Sequence, residues 1–103
     1  MSNNDEKIIS LLGLAQKAGK ISSGELSVEK TIKSGKAKLL IIAADCSEAT
    51  KKSYNDMAAY YGVELYEIFS KEQLGQCIGK VYRAALAITD IGFTNAVKKL
   101  LNS

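Results

Sequence analysis

The sequence predicts an α/β protein: a three-layer α/β/α sandwich built on a mixed sheet of about four strands. Three observations predict it. Amphipathic helical periods alternate with short apolar runs along the whole chain. The runs at 39–44 and 84–89 have no polar face, as in strands covered on both sides. Proline is absent, and glycines stand where the helical periods stop. With 103 residues, 47% hydrophobic and 24% charged, the chain is read as one folded domain, 1–103, with no repeat, linker or low-complexity segment.

Ile8, Leu11, Leu12, Ala15 and Ala18 recur at helical spacing, predicting a first helix over 5–18 that ends at Gly19. Lys20 to Ser23 reads as a short extended link. Gly24 opens a second helix over 25–35, with Val28, Thr31 and Ile32 on its inward face and Gly35 as its stop. Leu39 to Ala44 follows as the central strand. Ser47 is placed to cap a third helix over 48–61, with Tyr54, Met57, Ala58 and Tyr61 packing inward and Gly62 ending it.

Val63 to Ile68 returns as a strand, and Ser70-Lys71-Glu72-Gln73 has the pattern of a capping box, starting a short helix that runs to about Gly79. Gly75 and Gly79 read as positions where that helix approaches its neighbours closely. Ala84 to Thr89 is a second buried strand. Phe93, Ala96, Val97, Leu100 and Leu101 then form the apolar stripe of a closing helix.

Composition narrows the function. Histidine is absent, which removes the commonest general base and the usual partner of a serine or cysteine nucleophile. Cys46 and Cys77 form neither a disulfide framework nor a Cys-x-x-Cys site, and no metal or cofactor is expected. Cys46 follows a buried strand, but the residues after it, Ser47-Glu48-Ala49-Thr50-Lys51-Lys52, include a carboxylate and no anion-binding arginine, and the one arginine is Arg83. Asp45 lacks the companion carboxylates that magnesium needs. There is no glycine-rich phosphate cradle. The chain is therefore read as non-enzymatic. No apolar stretch approaches the ~18 residues of a membrane span, and the start, Met1 to Glu6, lacks a basic leader, so a cytoplasmic location is expected.

Net charge is +3, but six lysines against two glutamates between Lys17 and Lys38 make that stretch +4, and the rest of the chain −1. Such clustering is the footprint of a polyanion partner. The second helix sits inside it. At 100° per residue, Leu26, Lys30 and Lys33 lie together opposite the inward face. Backbone N–H groups at Gly24-Glu25, flanked by lysines, suit a phosphate. Leu26, exposed among lysines, needs a reason. Either it belongs to a nucleic-acid contact, or, with Phe69, it forms an apolar patch for a protein partner.

Three segments in order, Gly24-Glu25-Leu26-Ser27-Val28-Glu29-Lys30, then Lys38 to Asp45, then Ser70-Lys71-Glu72-Gln73-Leu74-Gly75, resemble the ribosomal protein L-seven-Ae/L-thirty-e family. The likeness covers nearly the whole chain. It looks most similar to a bacterial, YlxQ-like branch, through Leu12 to Lys20 and Thr89-Asp90-Ile91-Gly92-Phe93. The resemblance implies a three-layer α/β/α fold and an RNA partner: ribosomal RNA or another structured RNA, such as a kink-turn, with association with the ribosome. It implies contacts through the start of the second helix and through the loop before Ser70.

The residues so assigned are Gly24, Glu25, Leu26, Ser27 and Lys30, then Ile68, Phe69, Ser70 and Lys71, with Lys20, Lys33 and Lys36 as flanking charges. In the family the helix begins Gly-x-Asn-Glu, and the Asn and Glu read sheared G·A pairs. Leu26 and Ser27 occupy those places here, which leaves phosphate attraction and shape as the main expected terms. Ile68 and Phe69 are read either as a surface for an extruded base or as core at the strand's end.

Overall fold

Helix and strand alternate through residues 3–103, the part described in this computed structural model; Met1 and Ser2, where the reading of the chain's start begins, lie outside it. The order is α1 (Asn3–Lys17), β1 (Ile21–Ser23), α2 (Glu25–Lys33), β2 (Leu39–Ile42), α3 (Glu48–Tyr61), β3 (Glu64–Glu67), α4 (Lys71–Cys77), β4 (Ala85–Ile88) and α5 (Ile91–Leu101). The four strands lie in the order β1-β4-β2-β3. β4 runs antiparallel to both β1 and β2, and β3 runs parallel to β2. The sheet is mixed, as expected.

Strand alternation divides the core into two layers. Leu39, Ile41, Leu86 and Ile88 face Ile8 and Leu12 of α1, Leu74 of α4 and Val97 of α5. Leu40, Ile42, Ala85 and Ala87 face the other way, onto Val28 and Ile32 of α2 and Tyr54 and Ala58 of α3. All four residues of β2 and all four of β4 are buried, which is why their sequences show no polar face. The sandwich is α1, α4 and α5 over the sheet over α2 and α3.

The local signals act as their chemistry requires. Ser47 Oγ accepts from Thr50 N at 3.1 Å at the start of α3, and Gly62 ends it at φ 69°. Ser70 and Gln73 close a reciprocal capping box at α4, at 3.1 and 2.9 Å. Asp90 caps α5 by accepting from Phe93 N at 2.8 Å.

Several expectations are corrected. α1 starts two residues earlier and stops at Lys17, so Ala18 is exposed beyond its end. α2 stops at Lys33, two residues short of Gly35. The link at Ile21–Ser23 is an edge strand, because Ile21 packs on the core and the backbone pairs with β4. β3 is the other edge; its Glu64 and Glu67 are exposed and pair with Lys98 of α5 and Lys51 of α3. Tyr61 does not pack inward, because the core stripe of α3 ends at Ala58 and the last turn runs past it. Thr31 is half-buried and bonds Ser22 Oγ at 2.7 Å. Gly79 meets nothing; it is a turn glycine at φ 74°.

Candidate nucleic-acid interface

The register places the loops at two opposite ends of the sheet. Ser23 pairs with Leu86, while Ile42 pairs with both Ala85 and Glu67. The ends of β1, β2 and β3 and the start of β4 therefore share one end, with Gly24, Asp45, Phe69 and Arg83 just beyond them. At the other end Ile21 and Leu39 both pair with Ile88, Thr89 N donates to Lys20 O at 2.9 Å, and Lys38 N donates to Ile88 O at 2.7 Å.

At the first end, Gly24 turns the chain from β1 into α2 at φ 88°, ψ 145°, a conformation open to glycine and rare for other residues. No side chain caps this helix start, and the first intrahelical bond is Val28 N to Gly24 O at 2.9 Å. The N–H groups of the first turn and the positive end of the helix dipole thus face outward. Leu26 is 83% exposed, and Lys30 is exposed behind it. Lys33 pairs with Glu29 at 2.8 Å, and that bond raises its pKa. Ser27 spends its hydroxyl on Ser22 Oγ at 2.8 Å.

The second predicted segment meets this one through a chain of bonds. Arg83 N donates to Lys71 O at 3.0 Å, and its Nε donates to Ser23 Oγ at 3.3 Å, next to Gly24. Arg83 thereby ties the start of α4 to the start of α2. The charge it carries there was not legible in the sequence, where it appeared only as a residue distant from Cys46. Beside it Val81 and Tyr82 are 72% and 59% exposed. The loop approaches α4 so closely that only glycine fits at position 75, where a Cβ would lie 2.5 Å from Val81 O.

Ile68 and Phe69 fall short of an apolar contact surface. Both are half-buried against the α1/α4/α5 layer, because Phe69 O accepts from Ala44 N at 2.8 Å and Ile68 N donates to Ile42 O at 3.0 Å, continuing the sheet. Phe69 takes φ 67°, the one non-glycine residue with positive φ among those described. Leu26 stands on α2, on the other side of the sheet, so the two do not make one patch. Ser70 is consumed by its capping box, and Asp45 Oδ1 accepts from Lys71 N at 2.8 Å, so protein groups already satisfy the start of α4.

Lys20 and Lys36 are not beside Gly24. The chain runs out along β1 and back along α2, so both flanks of the lysine-rich stretch come to the opposite end of the sheet. A groove of about 370 Å³ between α2 and α3, lined by Glu25, Glu29, Ser53 and Tyr54, carries carboxylates and does not suit an anion. Cys46 is buried, donates its thiol to Ala43 O at 3.0 Å, and has its pKa raised mainly by burial, the reverse of nucleophile activation. Among the described residues no group of three metal-ligating side chains occurs, and no helix is long and apolar enough to cross a membrane.

The fold is an α/β/α domain with a helix start and a basic loop joined at one sheet end. The chain belongs to the Ribosomal protein L7Ae/L30e/S12e/Gadd45 family, whose model matches residues 6–98. It is 41% identical over 98 residues to the RNA-binding protein YlxQ of Enterococcus faecium, covering 95% of this chain and 94% of that one. It is 42% identical over 92 residues to the RNA-binding protein YlxQ of Bacillus subtilis, covering 89% and 92%. A solved protein of unknown function from Bacillus halodurans superposes with a TM-score of 0.89 at 32% identity, covering 94% of this chain and 98% of that one. Membership in this family bears out the predicted fold and the non-enzymatic reading.

Proposed function

We propose that this protein binds structured RNA in the cytoplasm, ribosomal RNA or another kinked RNA, in association with the ribosome and without chemistry of its own. The observation that carries the reading is the convergence at one sheet end of the uncapped α2 start, Lys71 and the Arg83 loop, with Lys30 exposed further along α2, in a chain whose relatives are named RNA-binding proteins. The N–H groups of Glu25, Leu26 and Ser27 face a phosphate, and Lys30, Lys71 and Arg83 neutralise its neighbours.

Base reading is weak at this surface. Leu26 offers no donor or acceptor, and the Ser27 hydroxyl is already bonded to Ser22. Affinity then comes from phosphate contacts and from shape. A protein-docking patch of Leu26 with Phe69 is not favoured, since the two lie on opposite faces of the sheet.

Binding titrations of a kink-turn hairpin at several salt concentrations test the reading. With about four phosphates neutralised, log affinity falls against log salt with a slope of roughly −3. Absence of binding at low salt, or a flat response, overturns it.

A further inference from the structure

The lysines that the register carries away from the α2 start have their own surroundings. Lys20, Lys36 and Lys38 are exposed at the far end of the sheet, where β1 and β2 begin and β4 ends. α3 reaches the same end, because Gly62 and Val63 lead directly into Glu64, which pairs with Leu39. The last turn of α3 presents two adjacent tyrosines. Tyr60 is 81% exposed and Tyr61 40%, and their rings meet edge-to-face with centroids 4.8 Å apart at 75°. α2 packs against α3, so the end of α2 and the last turn of α3 share this side of the sheet.

Two aromatic rings held against each other at a helix end contribute little to the core of this fold, whose α3 stripe stops at Ala58. The edge-to-face geometry leaves the open face of the outer ring available for stacking. Lysines beside exposed aromatics are the combination that holds unpaired nucleotides: the rings take the base, and the ammonium groups take the phosphates. The surface is also connected to the first. Leu26, Lys30 and Lys33 form one stripe along α2, with a rise of about 10 Å from Leu26 to Lys33.

We infer that this end of the sheet is a second RNA contact, in which Tyr60 and Tyr61 stack an unpaired base and Lys36 and Lys38 hold the adjoining phosphates. It receives a single-stranded segment that flanks the kinked element seated at the α2 start. The inference rests on the proposed RNA binding and adds to it a separate site with its own ligand.

The probe is a pair of RNAs: a kink-turn hairpin with blunt ends, and the same hairpin carrying an eight-uridine single-stranded extension. Fluorescence anisotropy measures both against the wild type, a Tyr60→Ala/Tyr61→Ala variant and a Tyr60→Phe/Tyr61→Phe variant. The extension should tighten wild-type binding by about fivefold or more, the range expected for stacking of a single base. The alanine pair should abolish that gain while leaving the blunt hairpin's affinity unchanged, and the phenylalanine pair should keep it. An extension that adds nothing, or a gain that survives in the alanine pair, overturns the second contact while the first reading stands; the latter result would arise if the tyrosines served a protein partner. Binding of neither RNA by the wild type overturns both readings.

Discussion

Replacing Gly75 by alanine tests whether the loop that carries Arg83 is held where the interface needs it. In an ordinary helix interior this substitution stabilises by roughly 0.5–1 kcal/mol, because alanine loses less backbone entropy than glycine. Here the new Cβ would lie 2.5 Å from Val81 O, 2.7 Å from Val81 C and 2.8 Å from Tyr82 N. All three are backbone atoms, so no rotamer change relieves the contact, and overpacking of this kind costs about 1–3 kcal/mol. The clash exceeds the helical gain, and a net loss of about 1–2 kcal/mol is expected, which lowers the Tm of a domain this size by roughly 5–15 °C. Thermal unfolding followed by circular dichroism measures the sign directly. The displaced loop should also weaken RNA binding, because Arg83 loses its bonds to Lys71 and Ser23. A Tm at or above the wild-type value would refute the close approach of the loop to α4.

Ser70→Ala removes the capping box of α4 and should cost about 1 kcal/mol, read as a lower Tm in the same assay. Lys30→Ala should weaken all structured RNAs about equally and reduce the salt slope by about 1, as a phosphate contact does. Leu26→Asn with Ser27→Glu should gain discrimination against a kink-turn with mutated G·A pairs, at about 1–3 kcal/mol per restored base contact, while the wild type discriminates little. Cys46→Ser should leave RNA affinity unchanged. The native thiol should react with iodoacetamide more slowly than a free cysteine at neutral pH, since burial holds it protonated.

What was legible in the sequence was local or periodic. Ser47, Gly62 and the Ser70–Gln73 pair act within a few residues of themselves, so their caps could be read without knowing the fold. The apolar runs of β2 and β4 announce their two-sided burial for the same reason. Periodicity does not say where a core ends, and so Tyr61 looked like a continuation of the Tyr54–Ala58 stripe when it is a surface ring. Charge clustering along the chain did not become one patch in space, because β1 and α2 run in opposite directions and carry Lys20 and Lys36 away from Gly24. Arg83 became visible only through its bonds to Ser23 and Lys71, residues 60 and 12 positions away. The half-burial of Phe69 follows from the Ala44–Phe69 backbone bond, which no sequence pattern marks.

The interface itself is tested most directly by mapping backbone amide shifts by NMR as a blunt-ended kink-turn hairpin is added to the full chain. The account predicts that the changes concentrate at Gly24 to Lys30, at Lys71 and at Val81 to Arg83, with α1 and α5 unaffected. Changes centred on the α1/α5 face, with the start of α2 silent, would contradict it.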